Sequence, residues 1–325
     1  MARQQPEPDR EARGISYLRL SITDRCDLRC NYCTPYRASL PRADAILTLP
    51  EITTLVRAFA QNGITKLRLT GGEPLVREEV VEIVRRVADT PGIATVALTT
   101  NGVRLEDMAK SLVEAGLRRV NISVDSLDRE TFREITGQDA LDAVLSGIDA
   151  ALRCGVDKVK LNTVVMRGVN ELEIPAIADL ARRLPVEVRF IELMPLGHST
   201  REWQAMHVPA AEIRQALGDL EPLPNETGSS ARRYRLAGSQ GVVGIISPMS
   251  EDFCGSCNRV RVTCSGGLRP CLRLPIEEDL RPLLGMPDLG ERLSALMSRL
   301  SSQKLSGALA SCSAVQAEAM RAVGG

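Results

Sequence analysis

A chain of 325 residues with 41 basic and 41 acidic side chains has no net charge, so no global basic field draws it to nucleic acid, and any anion site must be a local cluster. It is long enough for a large core without staples, and no apolar run approaches the roughly 18 residues of a membrane span. Nine cysteines against two histidines, His198 and His207, in a stretch bounded by Pro195, Gly197 and Pro209, speak against histidine-based zinc hydrolysis or a Ser-His-Asp triad and for thiolate metal ligation in a reducing cytoplasm.

Residues 1–14 are charged and proline-containing, which predicts a flexible arm rather than a signal peptide. After it, strand-like segments alternate with helical patterns: 17–22, 66–70, 94–99, 119–124, 158–165 and 187–193. Between them the period becomes helical, as in Val76, Val80, Ile83, Val84 and Val87, in Leu141, Val144, Leu145 and Ile148, and in Ile174, Ile177, Leu180 and Leu184. Six strand–helix units predict parallel strands with right-handed crossovers, in a doubly wound sheet or an incomplete barrel. The distinctive polar residues cluster at the carboxyl ends of successive strands, which favours the barrel. Residues 218–241, rich in Pro, Gly and Ser, read as an irregular connection, and 280–300 as an amphipathic helix.

Two cysteine clusters stand out. Cys26-Asp27-Leu28-Arg29-Cys30-Asn31-Tyr32-Cys33 follows the first strand, and three thiolates so spaced can converge on one centre. Three ligands hold an iron–sulfur cubane with one iron left open; the alternatives are a zinc knuckle lacking its fourth ligand, or separate buried thiols. Cys254-Gly255-Ser256-Cys257, followed after thirteen intervening residues by Cys271, is again a three-thiolate set, with zinc a rival metal. Cys154, Cys264 and Cys312 are left over. Cys264 is positioned to close the second site, but strand alternation through Val260, Val262 and Cys264 puts it on the face opposite Arg259 and Arg261 and predicts a buried free thiol. Gly71-Gly72-Glu73-Pro74 lies directly after a strand, where glycines admit close approach of backbone to a ligand. Arg19, Lys66, Arg68, Lys160, Arg189, Arg259 and Arg261 occupy strands directed at the same mouth; each alone would be read as half of a solvated ion pair, together as a grip on an anion.

The spacing Cys26, Cys30, Cys33 resembles that of the radical S-adenosylmethionine (SAM) superfamily. Leu18 to Cys26, Thr70 to Leu75, Leu98 to Gly102, Asn121 to Asp125, Arg189 to Met194 and a terminal Gly324-Gly325 are similar to its GTP 3',8-cyclase family, which acts in molybdenum-cofactor biosynthesis. The likeness is specific as far as Cys271 and weak from there to Val323. It implies an incomplete (βα)6 barrel with a smaller C-terminal Fe-S segment, hence an arm 1–14, a barrel 15–235 and a C-terminal segment 236–325.

The resemblance further implies two 4Fe-4S clusters, the first on Cys26, Cys30 and Cys33 and the second on Cys254, Cys257 and Cys271. SAM is expected at Tyr32, Gly72, Ser123 and Met194, and GTP at Arg19, Arg68, Thr99, Lys160, Arg259 and Arg261. A 5'-deoxyadenosyl radical would then take hydrogen from the ribose 3' carbon, and closure onto guanine carbon 8 would give 3',8-cyclo-7,8-dihydro-GTP. The implied partners are an electron donor and cyclic pyranopterin monophosphate synthase, with a homodimer left open and no role for nucleic acid or membrane. The Gly-Gly end would enter the substrate cavity. The rivals are a radical SAM peptide maturase, which Arg259, Arg261 and the Gly-Gly end disfavour, and a zinc-stapled binding module without activity.

Overall fold

The computed structural model describes residues 14–33, 46–196, 203–226, 228–251, 257–274 and 276–308. The expected arm, apart from Gly14, therefore lies outside the described residues, as do Cys254, His198, Cys312 and Gly324-Gly325. The first half of the chain runs β1 (Tyr17–Ser21), α1 (Leu49–Gln61), β2 (Lys66–Thr70), α2 (Val80–Ala88), β3 (Thr95–Thr100), α3 (Leu105–Glu114), β4 (Arg119–Ser123), α4 (Arg129–Thr136) and α5 (Leu141–Arg153). It continues through β5 (Lys158–Val165), α6 (Ile174–Arg183), β6 (Glu187–Glu192), α7 (Trp203–Met206), α8 (Ala210–Leu217), β7 (Leu220–Leu223), β8 (Ala231–Leu236) and β9 (Val242–Ile246). β10 (Arg259–Val262), β11 (Gly267–Arg269), β12 (Glu278–Asp279) and α9 (Leu289–Ala308) complete the described chain.

All strands join one sheet in the order β12-β11-β10-β1-β2-β3-β4-β5-β6-β9-β8-β7. β1 to β6 are mutually parallel and in sequence order, and β10 and β9 extend the two ends of this arc, also in parallel. The arc does not close by strand pairing, but it curls: Arg259 on β10 donates to the Gly228 carbonyl just before β8 (2.8 Å), and Arg273 to the Pro248 carbonyl just after β9 (3.1 Å). This is the incomplete barrel that the polar residues at successive strand ends favoured over a doubly wound sheet. Residue 235 falls within β8, and the sheet continues on both sides of it.

Alternation along each strand decides what faces where. Leu18 and Leu20, Leu67 and Leu69, Val120 and Ile122, and Val260 and Val262 are buried in a core shared with the helices. Their neighbours Tyr17 and Arg19, Lys66 and Arg68, Arg119 and Asn121, and Arg259 and Arg261 line the concave side. The helices take their places by ordinary signals. Thr48 and Glu51 form a capping box at α1, Asp128 caps α4 by accepting from the Thr131 N–H (2.9 Å), and Gly137, at φ +72°, ends it.

Two expectations are corrected. Residues 218–241 contain the antiparallel pair β7 and β8, whose alternation is masked because the outward positions of β8 are arginines and only Ala231, Tyr234 and Leu236 are buried. The last helix begins at Leu289 rather than near 280, since Pro282, Gly285 and Pro287 break the preceding turns. The β6–β9 contact is tight enough to test. A Cβ on Gly241 would lie 2.1 Å from the Val186 carbonyl oxygen, so Gly241→Ala should cost about 1–3 kcal/mol in denaturant unfolding, and unchanged stability would contradict this approach.

Candidate active site

β1 delivers the first cysteine loop to the carboxyl end of the sheet, and its neighbours tie the loop down. Backbone N–H groups of Arg29 and Asn31 donate to the carbonyls of Thr136 (2.8 Å) and Ile135 (2.9 Å) at the end of α4. The Asp27 carboxylate accepts from the Asn101 amide (2.7 Å) and from Arg104 (3.0 Å). Cys26, Cys30 and Cys33 thereby line one cavity of about 480 Å³. Burial, with the Glu73 and Asp27 carboxylates nearby, pushes the Cys26 thiol up to about 12, and burial with Asp125 and Cys33 raises Cys30 well above the ordinary thiol range. Such thiols ionise readily only against a bound cation. Among the described residues no three His, Cys, Asp or Glu side chains stand close enough to hold one metal ion. Three thiols around an open cavity are a donor set for a polynuclear guest.

The glycines after β2 have a structural reason independent of any ligand. A Cβ on Gly71 would lie 2.5 Å from the Thr23 carbonyl oxygen, and one on Gly72 2.4 Å from that of Arg25, so this turn packs directly on the chain entering the cysteine loop. Gly72 N–H donates to Thr23 (2.8 Å) and Glu73 N–H to Arg25 (2.7 Å). The buried Glu73 carboxyl accepts from Thr100 Oγ1 (2.7 Å), Asn101 N–H (2.6 Å) and Leu75 N–H (2.8 Å), binding the ends of β2 and β3 together; burial outweighs these bonds and raises it to about 7. Tyr32 donates its hydroxyl proton to Asp125 (2.7 Å), which also accepts from Val164 N–H (2.8 Å) and is raised to about 6 by burial. Gly72, Ser123, Tyr32 and Met194 all border the same cavity.

Away from this end, the cavity becomes cationic. Among the described residues eight basic side chains line it, the seven expected and Arg119, against the acidic Asp125 and Glu226. Register explains their grouping: Arg261, Arg19 and Arg68 are direct neighbours across β10, β1 and β2, and Arg259, Tyr17 and Lys66 form the adjacent row. The rows begin at the amino ends of the strands, and from Tyr17 to Ser21 the chain advances about 13 Å toward the cysteine loop. The cations therefore lie along the strands that lead to the mouth. Burial and then the neighbouring Arg261 drag Arg19 well below its ordinary value. Arg68 is held by the Tyr17 hydroxyl (2.6 Å), the Leu98 carbonyl (2.7 Å) and Thr99 Oγ1 (3.2 Å).

On β5 and β6 the cations are countered. Glu187 pairs with Lys160 (3.1 Å) and Arg189 (2.6 Å), and Glu226 pairs with Lys158 and faces Lys160 at 3.8 Å. Burial and the nearby Arg189 still lower Lys160 to about 7. Glu187 is buried, which alone would raise it, yet Arg189 and Lys160 hold it at about 2. Of the second cysteine set, Cys257 and Cys271 are half-buried and both act electrostatically on Arg261, whose guanidinium is lowered chiefly by burial. Cys264 is buried beside Ser21 and Asp24 and does not line the cavity, as the alternation predicted.

The sequence reading passed over the side chains of Tyr17, Glu73, Arg119, Glu187 and Glu226. Period-two alternation points to Tyr17 from Arg19 and to Arg119 from Asn121; Glu187 becomes visible through cross-strand register, and Glu73 and Glu226, in loops, only through their contacts. Because Glu187 has its folded pKa below that of an unfolded glutamate, its stabilising effect is complete above about 4.5 and lost as pH falls toward about 2. Glu187→Gln should destabilise the fold by about 3 kcal/mol at pH 7, a gap that closes across that acid window in pH-dependent unfolding; a gap constant with pH would contradict the pairing.

Comparison with known proteins agrees with this arrangement. Residues 20–181 match the Radical SAM superfamily, and residues 186–308 match Molybdenum Cofactor Synthesis C. The chain is 51% identical to the GTP 3',8-cyclase of Pelotomaculum thermopropionicum over 84% of its own length and 86% of that protein's. It is 48% identical to the GTP 3',8-cyclase of Moorella thermoacetica over 90% and 92% of the two. A crystal structure of Streptococcus suis SuiB bound to S-adenosylmethionine shares the fold, at a TM-score of 0.64 and 14% identity over 89% of this chain and 68% of that one. With thiols, glycine turn and cationic rows gathered on one cavity and relatives of this similarity along most of the length, the chain belongs to the GTP 3',8-cyclase family of radical SAM enzymes.

Proposed function

We propose that this cavity converts GTP to 3',8-cyclo-7,8-dihydro-GTP, with SAM and the nucleotide bound side by side. The observation that carries the reading is that one continuous cavity has three thiols at one part of its wall and the row Arg261, Arg19, Arg68 at another. The thiols of Cys26, Cys30 and Cys33 suit a 4Fe-4S cluster with an open iron, and Cys257 and Cys271, with Cys254, suit a second. A cluster held by Cys26, Cys30 and Cys33 would supply, with SAM and one electron from a donor, the 5'-deoxyadenosyl radical needed to take hydrogen from the ribose 3' carbon.

The protein's own share is grip, orientation and exclusion of water. Gly72, through its backbone, and Ser123 hold SAM, while Tyr32, fixed by its bond to Asp125, and Met194 flank the adenine. Arg19, Arg68, Lys160, Arg259 and Arg261 take the phosphates and guanine, guanidinium groups being suited to bidentate contact with phosphate oxygens. Thr99, already within reach of Arg68, orients the nucleotide beside it. Eight basic against two acidic groups on the wall fit a polyphosphate better than a neutral peptide. Cys264 is buried beside Ser21 and Asp24 and would stay a free thiol, which leaves Cys254, Cys257 and Cys271 as the residues that would hold a second cluster.

Among the described residues no helix is long and apolar enough to cross a membrane. The reaction is assigned to the cytoplasm, with an electron donor upstream and cyclic pyranopterin monophosphate synthase taking the product; a homodimer is compatible with this. The division into a barrel, 15–235, and a C-terminal segment, 236–325, separates the SAM-holding strands from the second cysteine set.

Each of Cys26→Ser, Cys30→Ser and Cys33→Ser should abolish 5'-deoxyadenosine formation, and normal cleavage of SAM by any one of them would refute the first site. Iron and sulfide analysis after anaerobic reconstitution should find about eight irons per chain in the wild type and in Cys264→Ser, but about four in Cys271→Ser. Loss of about four irons in the Cys264 variant would mean that the second cluster is fully cysteine-ligated. Arg261→Ala should weaken GTP binding by about 1.5–3 kcal/mol per charged hydrogen bond lost while leaving SAM binding intact; equal losses for both ligands would indicate misfolding instead.

A further inference from the structure

Tyr17 stands at the centre of the cationic wall. Its hydroxyl accepts the Arg68 Nε–H at 2.6 Å, the Lys66 ammonium lies 4.5 Å from its ring centroid, and the Arg259 guanidinium lies 5.8 Å from it. These contacts come from strand pairing, since Lys66 on β2 and Arg259 on β10 are its direct neighbours on either side. The charged groups that face it are Arg19 on its own strand, Lys66 and Arg68 on β2, and Arg259 and Arg261 on β10. All of these are cations. Tyr17 itself lines the cavity and is 9% exposed.

We propose that Tyr17 positions the cations of the nucleotide site and serves as their exchangeable counter-charge, its oxygen taking a proton from solvent when a polyphosphate enters. The inference rests on the reading of the cavity as a GTP site. In the empty site, burial would raise the phenol, but Arg68, Arg19 and Lys66 draw it down to about 7, so that near neutrality much of it is phenolate. Phosphate oxygens arriving on those same cations cancel the field that favours the phenolate, and the phenol returns toward its ordinary value. The bound state then holds more protons than the free state, so affinity is favoured at low pH and falls as pH rises above about 7. Lys160 contributes in the same direction, because an incoming phosphate favours its charged form too.

The test uses the anaerobically reconstituted protein with GTP in the absence of SAM and reductant, so that binding occurs without turnover. Calorimetric titration in buffers of different ionisation enthalpy measures the protons taken up. Wild-type protein should take up protons at pH 8, with affinity falling above pH 7 by up to about tenfold per pH unit for each proton taken up. Tyr17→Phe, which keeps the ring and removes the hydroxyl, should take up fewer protons, by up to one per chain, and show a shallower pH profile with SAM affinity and iron content unchanged. Equal uptake in the two proteins would overturn the proposal. A second readout needs no variant: the tyrosinate band in the near-ultraviolet difference spectrum should shrink as GTP or inorganic triphosphate is added to wild-type protein at pH 8. A band that stays constant while nucleotide binds would also overturn it. Failure of wild-type protein to bind GTP at all would instead strike the reading of the cavity.

Discussion

The structure depends on the burial of like charges on adjacent parallel strands. Arg261, Arg19 and Arg68 are neighbours in register, and strand alternation leaves their side chains no way out, because the opposite face of each strand is committed to the helices by Val260 and Val262, Leu18 and Leu20, or Leu67 and Leu69. Desolvated guanidinium groups placed side by side are costly. The hydrogen bonds from Arg68 to Tyr17, Leu98 and Thr99 offset part of that cost, while burial first and the neighbouring Arg261 second lower Arg19. A wall of this kind is stabilised by an arriving anion, so a chain without net charge can still present a local anion site.

The cofactor end is built by another device, backbone contact between successive strand ends. Gly71 and Gly72 lie so close to Thr23 and Arg25 that no side chain fits, and Glu73 ties β2 to β3 through Thr100 and Asn101. Asn101 in turn holds Asp27 inside the cysteine loop. The thiols are thus positioned by a chain of contacts running from β1 through β2 to β3, and Tyr32 is fixed separately through Asp125 at the end of β4. Mutations along these contacts would shift the loop without touching a cysteine.

Much of this was legible in the sequence because it follows from period-two alternation and from spacing. The central strands lie within a residue of their expected bounds, and Arg259 and Arg261 share a face while Cys264 avoids the cavity, all from alternation. The rest depended on information the linear chain does not hold. β8 is not legible because Arg232, Arg233 and Arg235 conceal its buried positions, and the start of α9 is hidden by an apolar pattern that continues through Pro282 and Pro287. Glu187 reads as one more strand carboxylate until pairing of β5 with β6 sets it beside Lys160. Tyr17 likewise gains its meaning only from strands that flank it from opposite parts of the sequence.

Within this frame the two halves of the cavity are one reaction vessel, and neither makes chemical sense without the other. An anaerobic assay of the reconstituted protein with GTP, SAM and a one-electron reductant addresses that claim most directly. Formation of 5'-deoxyadenosine together with 3',8-cyclo-7,8-dihydro-GTP, both requiring GTP and the reductant, is the predicted result. SAM cleavage that proceeds without any change in GTP, or a purified protein that carries zinc and no sulfide, would contradict it.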